Sequence, residues 1–111
     1  MRDPKGRLQD ILEAIEHIER YAAYGREEFE RSELIQSWFI RHLQIIGEAA
    51  RALPSEVKEK ATSVPWLKIV GMRHILVHGY FEIDTEVVWN VVDRDLPELK
   101  REILNILRNL E

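Results

Sequence analysis

Cysteine is absent from the 111 residues. That excludes a disulfide framework, a thiolate metal cluster and a cysteine nucleophile, and it fits a reducing compartment. Glycine and proline are scarce, at five and four, and no glycine-rich phosphate loop, repeat, low-complexity tract or alternating strand pattern is present. No apolar run is long enough to cross a bilayer, and Met1 to Arg7 lead into a charged amphipathic stretch without the apolar core of a signal peptide. A cytoplasmic protein with no membrane association is therefore expected. An excess of positive charge is lacking too. The net charge is -4, which argues against a broad non-specific nucleic-acid surface, because phosphate affinity comes mainly from Lys and Arg displacing counterions. Any nucleic-acid contact must be local.

What is present is a globular balance, 45% apolar and 32% charged residues, in a length suited to one core. One domain over 1–111 is expected. From Leu8 to Tyr24 the residues Leu8, Ile11, Leu12, Ile15, Ile18 and Ala22 recur at helical spacing, with Gly25 placed as a left-handed C-terminal cap. Glu27 to Arg31 reads as a charged connector holding Phe29. Ser32 is an N-cap for a second long helix carrying Ile35, Trp38, Phe39, His42, Ile45, Ile46, Ala49 and Leu53, stopped by Pro54. Residues 55–64 read as a polar crossing with one helical turn around Val57 to Ala61.

Pro65 opens a third helix from its first-turn position, running from Trp66 to about His78. Trp66, Leu67, Ile69, Val70, Met72, Ile75, Leu76 and Val77 surround it, and a helix apolar on every side is buried on every side. One face can lie on the core; the other calls for a second subunit. Gly79 ends that helix, and Tyr80 to Ile83 form a short extended connector. Asp84 and Glu86 give the acidic first turn of a fourth helix through Val92. Asp95 with Glu98 three residues on, and Pro97 between them, marks the start of a fifth segment striped by Leu96, Leu99, Ile103, Leu107 and Leu110. The fold class expected is all-α, an antiparallel four-helix bundle with short accessory helices, its last helix kinked or broken at Asp95.

Arg73 is the anomaly. It falls on the stripe of Trp66, Ile69 and Val70, where an apolar group is expected, and an unpaired guanidinium cannot be buried cheaply. It either meets a carboxylate such as Glu48 or sits at a wet seam lined by protein. His78 lies some 140° around the axis from Arg73 at about 100° per residue. The two converge only at a helix end that unwinds at Gly79 or across a twofold axis. A histidine in the last turn feels the negative helix end, which favours its protonated form. A hydrogen-bonded structural histidine fits the same position. His74 and His78 share the i, i+4 spacing of two zinc ligands, but no third ligand follows locally, and no metal is expected.

The segment Arg73-His74-Ile75-Leu76-Val77-His78-Gly79-Tyr80 carries the R-x4-H-x-Y signature of HEPN domains and resembles the HepT-like ribonuclease toxins in particular. Ile45 to Ala50 before a proline, Trp66 and Gly71 ahead of the motif, and Asp95-Leu96-Pro97-Glu98-Leu99 also look like that branch. The resemblance spans nearly the whole chain. It implies a HEPN-like bundle working as a homodimer, a metal-independent endoribonuclease needing no cofactor, with Arg73 and His78 of both subunits lining an interface cleft. In that chemistry His78 is the general acid or base and Arg73 stabilises the charge developing on phosphorus. The family is further similar in pairing with a minimal nucleotidyltransferase antitoxin that adenylylates the motif tyrosine, here Tyr80, so that added charge repels RNA. His74 stands where the family usually has asparagine, which leaves one supporting contact open. The alternative is a non-catalytic helical partner of that nucleotidyltransferase, which the acidic balance suits.

Overall fold

The computed structural model describes residues 3–75 and 84–110, the side chains of residues 73–75 excepted. Among the described residues every regular element is helical. Helix α1, Pro4–Ala22, starts earlier than its apolar periodicity. The Asp3 carboxylate accepts the Gly6 N–H at 2.7 Å and Pro4 occupies the first turn, where a missing N–H costs nothing. Gly25 does not cap α1. It stands beyond the C-cap Ala23, with φ +94° and ψ 167°, and opens the next element instead. The expected connector is that element: helix α2, Arg26–Arg31, laced by Arg26–Glu30 and Glu27–Arg31 ion pairs at 2.9 and 2.8 Å. Phe29, fully buried, stacks on Phe39 at 5.0 Å and anchors this short helix. Tertiary burial outweighs a length at which an isolated helix is unstable.

Helix α3, Glu33–Ala52, begins as its N-cap predicts, with Ser32 Oγ accepting the Ile35 N–H at 3.1 Å. Helix α4 is the single turn Ser55–Lys58, set two residues earlier than the sequence suggested. The chain after it is gathered by Trp66, whose Nε1 donates to the carbonyls of Lys58 and Ala61 at 3.1 and 3.0 Å. Helix α5, Trp66–Ile75, then packs along α3. Pro65 stands just ahead of it, its carbonyl accepting the Ile69 N–H at 3.0 Å.

Helix α6, Thr85–Asn90, has Asp84 as N-cap, the carboxylate accepting the Val87 N–H at 3.2 Å. It runs without a break through a π-helical turn, Val91–Asp95, into α7, Leu96–Asn109. The expected start at Asp95 is therefore corrected. Asp95 has helical torsions and its side chain caps nothing. The irregularity falls where the sequence placed it, but the rod widens instead of stopping. Pro97 has no N–H for the carbonyl of Asp93, and its ring crowds that carbonyl. A wider turn, in which the Leu96 N–H reaches back five residues to Val91, absorbs the misfit.

The core is continuous. Leu8, Ile11, Ile15 and Ile18 of α1 meet Phe39, Leu43 and Ile46 of α3, while Leu96, Leu99 and Ile103 of α7 close over α1. Lys100 pins that closure with a 2.8 Å contact to Glu19. With α1, α3, α5 and the α6–α7 rod as its four long members, the arrangement agrees with the all-α, HEPN-like bundle expected.

Candidate functional site

Helix α5 is what positions Arg73, and its faces are unequal. Ile69 is fully buried and Met72 nearly so, both toward the core, whereas Leu67 is 92% exposed and Lys68 lies open beside it. Among the described side chains of the helix expected to be covered all round, one face lies on the core and the face of Leu67 and Lys68 is open within one chain. The backbone carries Arg73 and His74 in the last turn of α5, four and five residues after the buried Ile69. The placement of their side chains, and of His78 and Tyr80 altogether, lies outside the described residues. So does the Tyr80–Ile83 connector.

Glu48, the carboxylate considered for Arg73, stands on α3, the helix that α5 packs against. It is exposed, with Arg51 Nη1 3.9 Å from its Oε2. Its neighbours Ala49 and Ala50 are buried, small side chains that suit a close helix approach. Among the described residues no three His, Asp or Glu side chains are arranged to hold a metal ion, and no helix is long and apolar enough to cross a membrane.

Two polar features were not singled out from the sequence. The first is a pair of histidines between α1 and α3. His42, 7% exposed, stacks on His17 with ring centroids 4.8 Å apart, and Trp38 meets both rings edge-on at 4.4 and 5.6 Å. Trp38 Nε1 donates to the His17 carbonyl at 2.9 Å. Neither ring nitrogen of His42 has a hydrogen-bond partner. Burial, then the nearby His17 and Arg41, push the His42 pKa down, against a smaller upward pull from Glu13. Its neutral form is thereby favoured, beside a small cleft lined by Asp10, Glu13, His17 and Ile45. The sequence signal was only a histidine on an apolar stripe.

The second is an ion pair between α5 and the π turn. Lys68 Nζ lies 2.7 Å from Asp95 Oδ2, with the Asp95 side chain 17% exposed. The contact is one of charge, since its angle falls outside hydrogen-bond geometry. A lone lysine within the apolar run from Trp66 to Val70 was the available hint.

Comparison with known proteins covers the same span. Residues 11–106 match the family described as "Ribonuclease HepT-like". A Methanocaldococcus jannaschii protein named "Gamma-glutamylcyclotransferase and putative RNase" is 43% identical over 111 residues, 99% of this chain; the chain spans half of that protein's length. A protein of Caldanaerobacter subterraneus subsp. tengcongensis named "Putative RNase" is 38% identical, covering 97% of both chains. "Probable ribonuclease HepT" of Thermococcus cleftensis is 40% identical over 89% of this chain and 91% of its own. No solved structure gives a significant match.

Proposed function

Because this chain belongs to the HepT-like ribonuclease family, we propose that it is a metal-independent endoribonuclease acting as a homodimer, with Arg73 and His78 as its catalytic pair. The observation that carries this reading is the family match over residues 11–106, with the Arg73–His78–Tyr80 motif inside it. His78 takes the proton from a ribose 2′-OH, and the 2′ oxygen bonds to the adjacent phosphorus. The bond from phosphorus to the 5′ oxygen breaks, and that oxygen leaves with a proton from a general acid, the role that falls to the second subunit's copy of His78 in its protonated form. The products are a 2′,3′-cyclic phosphate and a 5′-hydroxyl. Arg73 stabilises the charge gathering on the phosphoryl oxygens in the transition state. DNA, without the 2′-OH, is not a substrate.

The dimer is supported by α5 itself, which leaves Leu67 bare on the helix that bears Arg73. A second copy covering that face would lie against the helix whose backbone carries Arg73. Regulation follows the family resemblance: a minimal nucleotidyltransferase moves AMP from ATP onto the Tyr80 hydroxyl, releasing pyrophosphate, and the added phosphate repels RNA. The acidic balance of the chain favours a second reading, in which it is a non-catalytic partner of that transferase.

Single-stranded RNA incubated with the full chain in EDTA is expected to be cut, leaving cyclic phosphate ends. Arg73→Ala and His78→Ala are each expected to lose the cut while still sedimenting at twice the 13.1 kDa of one chain. Absence of cleavage by the unmodified chain, or cleavage that vanishes with EDTA, overturns the nuclease reading.

A further inference from the structure

The Asp95-Leu96-Pro97 stretch has no part in the reaction just described, yet it follows directly on the one wide turn among the described residues, Val91–Asp95, which Asp95 ends. That turn takes in an extra residue, so everything after it is rotated by roughly 100° relative to an unbroken α-helix. The rotation has a visible use: α6, before it, lies on α3, and α7, after it, lies on α1. It also has a side effect on Asp95. An aspartate opening a new helix would spend its carboxylate on the helix's own N–H groups. Here the helix is already under way, Asp95 caps nothing, and its carboxylate instead faces Lys68 of α5 at 2.7 Å.

Helix α5 is held on its inner side by Ile69 and Met72 against the core, and at its start by Trp66. Lys68 adds a tie of another kind, to the last helical rod. It stands five residues before Arg73, about 7.5 Å along the helix axis. A helix fixed at two sides cannot roll. One fixed only on its apolar stripe can, and rolling displaces every group in its last turn.

We propose that the Lys68–Asp95 pair, presented by the π turn that Pro97 imposes, is a positioning clamp that sets the rotation of α5 and so the placement of Arg73. Its catalytic consequence rests on the nuclease reading above; the clamp itself does not. Neither residue touches RNA in this scheme.

The test compares Lys68→Met, Asp95→Asn and the exchanged pair Lys68→Asp with Asp95→Lys, all in the full chain, by amide hydrogen exchange and by RNA cleavage. Each single change is expected to speed exchange across residues 66–75 about fivefold, the scale of a half-exposed ion pair. Each should lower kcat by up to about fivefold with KM nearly unchanged, since misplacement of a charge-stabilising group acts on the transition state and the population of misplaced helix can rise only as far as the lost contact allows. The exchanged pair should restore both. Unaltered exchange in the single variants overturns the clamp. Faster exchange with full kcat overturns the positioning role, leaving an ordinary structural contact. Failure of the exchanged pair to restore either readout shows that packing, not the charge pair, is responsible. If the unmodified chain does not cut RNA, the nuclease reading and the clamp's catalytic role fall together, and exchange alone still decides whether the clamp exists.

Discussion

Two residues that are near neighbours on α5 should respond to truncation in opposite ways. Ile69 is fully buried, and replacing it with alanine removes three carbons from a packed site; such changes cost about 2–5 kcal/mol. Leu67 is 92% exposed, so Leu67→Ala removes almost nothing from the single chain, within about 0.5 kcal/mol. In the dimer proposed above the ranking at position 67 reverses. Burying a leucine is worth about 1.5–3 kcal/mol, and a twofold interface buries it twice. Most of that side chain is lost in Leu67→Ala, so the dimer should weaken by about 4 kcal/mol, close to a thousandfold in Kd. Urea unfolding of dilute protein reads the first effect, and sedimentation equilibrium across a concentration series reads the second. Ile69→Ala should shift the urea midpoint at every concentration. Leu67→Ala should leave the midpoint of dilute chain unchanged while dissociating the dimer. If Leu67→Ala leaves association untouched, the bare face of α5 is not the subunit seam, and the dimer placed there must be abandoned.

Stability should also depend on pH through His42. Its folded pKa is lowered from 6.5, chiefly by burial, so the unfolded chain takes up the proton first. Stability is therefore full above about pH 6.5 and declines as pH falls from there through the folded pKa. His42→Leu should flatten that part of the profile in thermal melts, and a slope that survives the substitution assigns it to another group. At Gly25 a side chain would meet no atom within 4 Å, yet φ is +94° with ψ near 167°, a region populated essentially by glycine. Gly25→Ala should cost about 1–3 kcal/mol from backbone strain alone, and an unchanged melting temperature would refute that account.

Much of the fold could be read from local pattern because each cue acts within a few residues. Ser32 capped its helix, Asp84 began another, Pro54 ended α3, and the apolar spacing of α1 and α3 matched their buried faces. The motif residues were likewise legible as a string, Arg73 to Tyr80, and the family match spans that string. Other features depended on partners far away in sequence. Arg26–Arg31 looked like a connector because its charges are local, whereas its helix depends on Phe29 reaching Phe39. Asp95 looked like a cap because capping is a local pattern. Whether the helix ahead of it stops at Pro97 or widens to take it in depended on α6 and α7 being held on α3 and α1. The pairing of Lys68 with Asp95 and of His17 with His42 joins residues 27 and 25 positions apart, distances over which no periodicity carries information. The amino-acid order thus determined most of the helical segments and which residues are candidates for the chemistry, since both follow from short-range sterics and side-chain type. Only the packed bundle decided which faces of those helices are covered, which charges meet and that the His42 pKa is lowered, because those depend on burial and neighbours that one segment cannot supply for itself.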